Sequence, residues 1–308
     1  MPALAVRRLV LLLPTVLGVV TLVFAFLHLL PGDPVEIMLG EWAAPADVAA
    51  LRRELGLDRP LAAQYVRFLA HAARGDLGHS IAFRAPVARV IAARYPATLE
   101  LAAAAFALAL VFALPLGVLA AVRRGTALDR AARLASLSGA CLPSFWLGPL
   151  LMLAFSIRLG WLPVAGRGGL AHLVLPAVTL GLGMAGILVR LTRASLLAAL
   201  GEDYVRTARA KGAPWWRAVG VHALRNALVP VVTVLGLQAG ALLAGAIITE
   251  TVFAWPGLGR LVVQAIQARD YPLVQGCVLA IGVSYVAVNT AADLLARAFD
   301  PRLLEDRR

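Results

Sequence analysis

Residues 101–120 read LAAAAFALALVFALPLGVLA, twenty consecutive positions without a charge, an amide side chain or a hydroxyl. In lipid the peptide groups of such a run find no solvent partners and must bond to one another, which leaves a helix or a closed barrel. Barrel strands alternate apolar and polar over about ten residues, and no segment here does so. A helix of roughly 20 residues, rising about 1.5 Å per residue, crosses a hydrocarbon core. Six runs pass that test: 9–30, 97–122, 134–157, 170–189, 227–248 and 274–292. Composition agrees, with 61% of 308 residues hydrophobic and 15% charged, a balance outside the soluble globular class. The expected fold is an all-α membrane protein with six transmembrane helices.

The formal charge of +12 raises the question of nucleic acid, and its distribution answers it. In a six-span chain with the N-terminus inside, 17 of the 29 Lys and Arg fall in the inner segments and termini. The short outer segments 158–169 and 249–273 carry two each. Long loops such as 31–96 count little in the positive-inside rule. The basicity is therefore topological, both termini are expected in the cytoplasm, and no nucleic-acid partner is implied. Arg7 and Arg8 precede an apolar run longer than the 7–15 residues of a signal-peptide core, so a retained first span is expected.

The organisation expected is a first segment 1–30, an extracytoplasmic helical cap 31–96 and a five-helix core 97–308 that contains a cytoplasmic loop 195–226. Within the cap, Asp47 opens a periodic run in which Val48, Leu51 and Leu55 share a face and Gly56 ends it; Tyr65, Phe68 and Leu69 repeat the pattern. Segment 249–273 mixes the turn residues Trp255-Pro256-Gly257 with an amphipathic stretch 261–266. Pro115, Pro143, Pro149, Pro176 and Pro230 fall inside spans, as do Gly236 and Gly240 at four-residue spacing; kinks and close helix crossings account for them. Cys141 and Cys277 also fall in spans, without a CxxC neighbour or metal-ligand spacing.

Catalysis finds no purchase. GLGMAG, residues 181–186, fits a dinucleotide string, but that string works only between a strand and a helix N-terminus, and here it lies inside a span. A phosphate-binding loop needs GK[ST], whereas Lys211, the sole lysine, is followed by Gly212. No HExxH or GxSxG occurs, no metal cluster is visible, and an intramembrane enzyme lacks a nucleophile and base to name. His28, Glu100, His172, Glu250 and Asp293 lie near span ends, where capping explains an ionisable group as readily as a proton relay in a stand-alone secondary transporter. Gln238 and Asn289 are deeper, and either line a polar path or pack between helices.

Residues 202–230, EDYVRTARAKGAPWWRAVGVHALRNALVP, then stand out. A connector needs only a few residues, yet this one carries five Lys and Arg side chains and two tryptophans. Asp203 suits a helix start, Gly212 and Pro214 suit its end, and Ala208 and Gly212 let another surface come close. Arg206, Arg209 and Lys211 offer donors to acidic or carbonyl groups. Trp215 and Trp216 suit a headgroup layer. Composition leaves two readings level: a helix gripped by another protein, or a basic helix lying on anionic lipid.

The string DYVRTARAKGAPWWRAVGVHALRNALVPVV resembles the cytoplasmic coupling loop of permease subunits in ABC importers, and within them the first permease of the oligopeptide, dipeptide and nickel group. Seven further strings stand in that family's order: 22–35, 55–69, 75–80, 95–101, 250–261, 268–276 and 299–304. The resemblance implies a type I importer permease fold and a lever helix seated in a separate ATP-binding subunit. That role falls on Asp203, Tyr204, Arg206, Thr207, Ala208, Arg209, Lys211 and Gly212, the last matching the motif's glycine. The general importer pattern has Glu-Ala-Ala where Arg206-Thr207-Ala208 stand and proline where Arg225 stands, so no glutamate contact is expected. Implied partners are a second related permease, one or two ATP-binding subunits holding ATP and magnesium, an extracytoplasmic solute-binding protein and membrane lipid. No cofactor is expected in this chain itself. Short peptides are the first solute class, with nickel or another small solute as the alternative, and the sequence names no substrate-binding residue.

Overall fold

A computed structural model describes residues 14, 17–25, 35 and 44–299. Residues 17–25 are helical; the remainder of the expected first span, and the string at 299–304 beyond Phe299, lie outside the described residues. The chain divides into two units, residues 1–98 with 256–284 and residues 99–255 with 285–308.

In the first unit, α1 (Pro45–Leu55) ends at Gly56, whose φ of 71° is the left-handed turn that stops a helix. A five-residue turn leads to α2 (Leu61–Ala73). The two-residue strands β1 (His79–Ser80) and β2 (Ala85–Pro86) pair antiparallel, and the second runs into α3 (Val87–Val122). After α9 (Leu258–Gln267) the chain enters α10 (Tyr271–Phe299). Val87, Val90, Ile91, Leu258, Leu261 and Leu273 form the core of this unit. Asp270, fully buried, ties the β1–β2 turn to the start of α10: its carboxylate accepts Ser80 Oγ at 2.5 Å, Ala82 N at 3.0 Å and Leu273 N at 3.1 Å. Thr98 Oγ1 accepts the Leu258 amide at 2.7 Å.

The second unit holds the rest of α3, then α4 (Ala127–Cys141), α5 (Ser144–Leu151, continued by a π-helical stretch Met152–Arg158), α6 (Leu170–Gly201), α7 (Asp203–Ala210) and α8 (Leu224–Val252). Among the described residues, four helices are long and apolar enough to cross a membrane: Val87–Val122, Leu170–Gly201, Trp215–Leu243 and Tyr271–Ala292. The expected run 134–157 is not one straight span. It breaks between α4 and α5, whose axes differ by 108°. Leu142 is extended (φ −76°, ψ 120°) before Pro143, because the proline ring drives its predecessor out of the helical region. Helix α3 begins ten residues before the expected 97: Val87, Val90 and Ile91 face inward, while Arg89, which interrupts the apolar run, points outward.

The small residues of the expected spans are spent on helix crossings. A Cβ at Gly181 would lie 2.6 Å from the Ala105 carbonyl oxygen, and one at Gly186 would clash with that of Ser136. The GLGMAG string therefore packs α6 against α3 and α4. Gly236 and Gly240 meet Ala292 and Asn289 in the same way, each at 2.5 Å.

Candidate functional site

The chain leaves α6 at Gly201, and Glu202 turns it into α7 in an extended conformation (φ −74°, ψ 151°). Asp203 sits in the first turn and Arg209 in the last, each at the end of the helix dipole that favours its sign. Thr207 Oγ1 donates to the Asp203 carbonyl at 2.9 Å, and Arg206 Nη1 donates to Asp203 Oδ1 at 3.2 Å. The latter pair is well exposed, a setting in which ion pairs contribute little to stability. Eight residues cannot hold a helix in isolation, so tertiary packing must.

Val205 supplies that packing. It is 1% exposed and belongs to a cluster with Ala121, Leu196, Ala199, Ala218, Val219 and Ala223. One face of α7 is thereby seated on the ends of α3 and α6 and on the π-helical stretch Ala218–Ala223 that leads into α8. The remaining faces are open: Asp203, Tyr204, Arg206, Thr207, Arg209, Lys211 and Gly212 are exposed and Ala208 is half-buried. The helix closes with Lys211 N, Gly212 N and Ala213 N donating to the carbonyls of Thr207, Arg209 and Ala208. Gly212 stands at φ 90°, a conformation costing other residues about 1–2 kcal/mol. The Arg209 guanidinium lies over the Trp215 ring, 5.2 Å from its centroid, a cation–π contact that folds the following turn back along α7. Trp216 is 71% exposed.

All eight residues expected at the site thus lie on or directly after one anchored helix. Two elements of the site were not among them. Val205 is the anchor, signalled only as the one bulky aliphatic side chain in DYVRTARA. The other is an ion pair behind the helix. Arg193, on α6, donates through Nε to Asp129 Oδ1 at 2.6 Å and through Nη2 to Oδ2 at 2.9 Å, a two-pronged contact. Asp129 is 1% exposed; Oδ2 also accepts the Gly125 amide at 2.9 Å. Three residues beyond Arg193, on the same helix, Leu196 touches the Val205 cluster, so the pair clamps to α4 the stretch of α6 on which α7 rests.

A cavity of about 250 Å³ opens at the α4–α5 break, where Ser144, Thr179 and Gln238 are polar among Leu142, Met184 and Leu242. Among the described residues, no three His, Cys, Asp or Glu lie together as metal ligands.

Residues 113–305 match the family model described as "binding-protein-dependent transport system inner membrane component", and residues 1–102 match the model for that family's N-terminal part. The chain belongs to this family. The permease is 45% identical to the dipeptide transport system permease protein DppB of Escherichia coli K12 over 96% of this chain and 97% of that one. It is 44% identical to the di/tripeptide transport system permease protein DppB of Pseudomonas aeruginosa UCBPP-PA14, over 98% of both chains. It is 45% identical to the glutathione transport system permease protein GsiC of Pectobacterium atrosepticum, over 97% of both. Among solved structures, an inward-facing MetNI methionine ABC transporter chain superposes with a TM-score of 0.59 at 20% identity, covering 68% of the permease and 96% of that chain. The shared fold is that of an ABC importer permease. The permease is a multi-pass membrane protein and a transport subunit.

Proposed function

We propose that the permease forms half of the translocation pathway of an ATP-driven importer for di- and oligopeptides in a bacterial cytoplasmic membrane. It crosses the membrane six times with both termini in the cytoplasm, and it pairs with a second, homologous permease. An extracytoplasmic binding protein delivers the solute. One or two ATP-binding subunits supply the energy, and they hold the ATP and magnesium. The contact with such a subunit is α7 together with Lys211 and Gly212.

One observation carries this reading: α7 is fixed to the spans by Val205 alone while its exposed side chains are left for a surface outside the chain. A helix that served only as a connector would need neither the anchor nor the open face. ATP-driven closure of a partner moves α7; Val205 and the Asp129–Arg193 clamp pass that displacement to α6 and α4. Peptide as the solute is supported by relatives named for dipeptide, di/tripeptide and glutathione transport.

The test is uptake of labelled alanyl-phenylalanine by cells carrying Gly212→Trp. A Cβ there meets nothing within 4 Å in this chain; Gly212→Ala carries the same backbone strain, about 1–2 kcal/mol, without the bulk, so a loss specific to the tryptophan in a variant that accumulates reports the blocked approach of the partner. Uptake and transport-coupled ATPase activity are expected to fall at least about tenfold, a coupling loss near 1.4 kcal/mol; unchanged values would refute the reading.

A further inference from the structure

Four of the strings that carry the family resemblance have no part in the coupling helix, and in the first unit they converge on one cavity of about 400 Å³. String 22–35 contributes Phe24, string 55–69 contributes Leu57, Arg67 and Phe68, string 75–80 contributes Asp76 and His79, and string 268–276 contributes Tyr271 and Gln275. A volume of this size lies in the range that holds small ligands.

The lining mixes two chemistries. Phe24, Leu57, Phe68 and Tyr271 are apolar or aromatic, and Gln64, Arg67, His71, Asp76, His79 and Gln275 are polar or charged. Asp76, also in the lining, has both carboxylate oxygens engaged away from Arg67: His71 Nδ1 lies 2.9 Å from Oδ2 and the Gly78 amide donates to Oδ1 at 2.9 Å. The Arg67 guanidinium passes over Gly56, where a Cβ would sit 3.0 Å from Nη1; the glycine leaves that edge open. Among the described residues Arg67 has no acidic partner. A guanidinium without an acidic partner, in a cavity also lined by aromatic rings, is suited to a ligand that brings both a carboxylate and an apolar side chain.

We propose that this cavity binds the C-terminal end of a short peptide, Arg67 taking the free carboxylate while Phe24, Phe68 and Tyr271 of the lining receive the last side chain. The inference rests on the peptide-import reading and deepens it, placing a solute-contacting site in the unit that contains the cap segment, apart from the coupling helix.

The test is equilibrium binding by the intact transporter complex in nanodiscs, without ATP, read by calorimetry. The probes are alanyl-phenylalanine and its C-terminal amide. Saturable binding of the free acid is expected, with the amide at least about tenfold weaker. Arg67→Gln should weaken the acid by a similar factor without further weakening the amide, and Arg67→Lys should restore part of the loss. Equal binding of acid and amide by the wild-type complex would overturn the proposal without reliance on any variant. So would absence of saturable binding, or an Arg67→Gln complex that binds like wild type. If Arg67→Gln lowered affinity for the binding protein but not for the free peptide, the cavity would be a protein-docking site and the proposal would also fall. The readout needs neither uptake nor ATP. Equal binding of acid and amide by the wild-type complex with peptide uptake intact sinks this inference alone, whereas normal uptake by Gly212→Trp sinks the coupling reading alone.

Discussion

Helices α7 and α9 are alike on paper and opposite in the structure. Both are short, amphipathic and bounded by glycine: Asp203–Ala210 before Gly212, and Leu258–Gln267 after Gly257. Yet α9 buries Leu258, Gly259, Leu261, Val262 and Ala265, whereas α7 buries Val205 alone. A helix with four or five inward residues is part of a core, and its sequence is dictated by that core. A helix with one is a handle, held firmly enough to transmit a push and otherwise free to suit a partner. The difference teaches where substitutions should harm the fold and where they should harm only transport.

The comparison breaks first, and most severely, at Leu261→Asp. Burying an unpaired carboxylate at a site 1% exposed is expected to cost about 3–5 kcal/mol, so folded protein should be lost in size-exclusion and thermal-unfolding assays. Val205→Asp comes next. It should unseat α7 and reduce uptake at least about tenfold, but lower the melting temperature less than Leu261→Asp does, because only one side chain joins the helix to the core. A melting temperature as low as that of Leu261→Asp would mean that α7 is core after all.

The clamp behind α7 is expected to show coupling rather than a simple sum. Asp129→Asn should lower the melting temperature by stranding Arg193, Arg193→Gln by leaving Asp129 only Arg133 at 3.5 Å and the Gly125 amide, and the double variant should lower it by less than the two effects added. Additive effects would deny the pair its role. On the open face, Arg206→Gln with Arg209→Gln should lower the melting temperature only slightly, since the exposed contacts to Asp203 and Trp215 are worth about 1 kcal/mol or less each, while uptake falls several-fold through lost charge-assisted contacts to the partner.

The smallest effect concerns the turn at Asp76. The hydrogen bond from His71, then that from the Gly78 amide, holds its carboxyl below the usual carboxylate range. A lowered folded-state value stabilises the turn above the unfolded value near 4 and loses that contribution as pH falls below it. The protection of the Gly78 amide, its exchange rate relative to the intrinsic rate at the same pH, should therefore fall at low pH in the native chain, and Asp76→Asn should show low protection at every pH.

Much of this was legible in the sequence for particular physical reasons. Four of the expected spans announced themselves by apolar length, α1 and α2 by their period, and α7 by Asp203 at one end and Gly212 at the other. The 108° bend was concealed because α4 and α5 are joined by apolar residues, so hydropathy alone reads 134–157 as continuous; Pro143 was the available signal. The Asp129–Arg193 clamp was silent because its members stand 64 residues apart, and single-sequence reasoning sees charge but not tertiary partners. The convergence of four distant strings on one cavity was silent for the same reason. Val205 sat in plain view, but polar neighbours make one valine an anchor only once Leu196, Ala199 and Ala223 are placed against it.

The account turns on what touches the open face of α7. The direct measurement is cross-linking from a single cysteine placed at Arg206, in a background with Cys141 and Cys277 replaced, within the native transporter complex and with products identified by mass spectrometry. A cross-link to an ATP-binding subunit, its yield changing when nucleotide is added, is the result predicted. Capture of lipid alone, in the presence and absence of nucleotide, would contradict it.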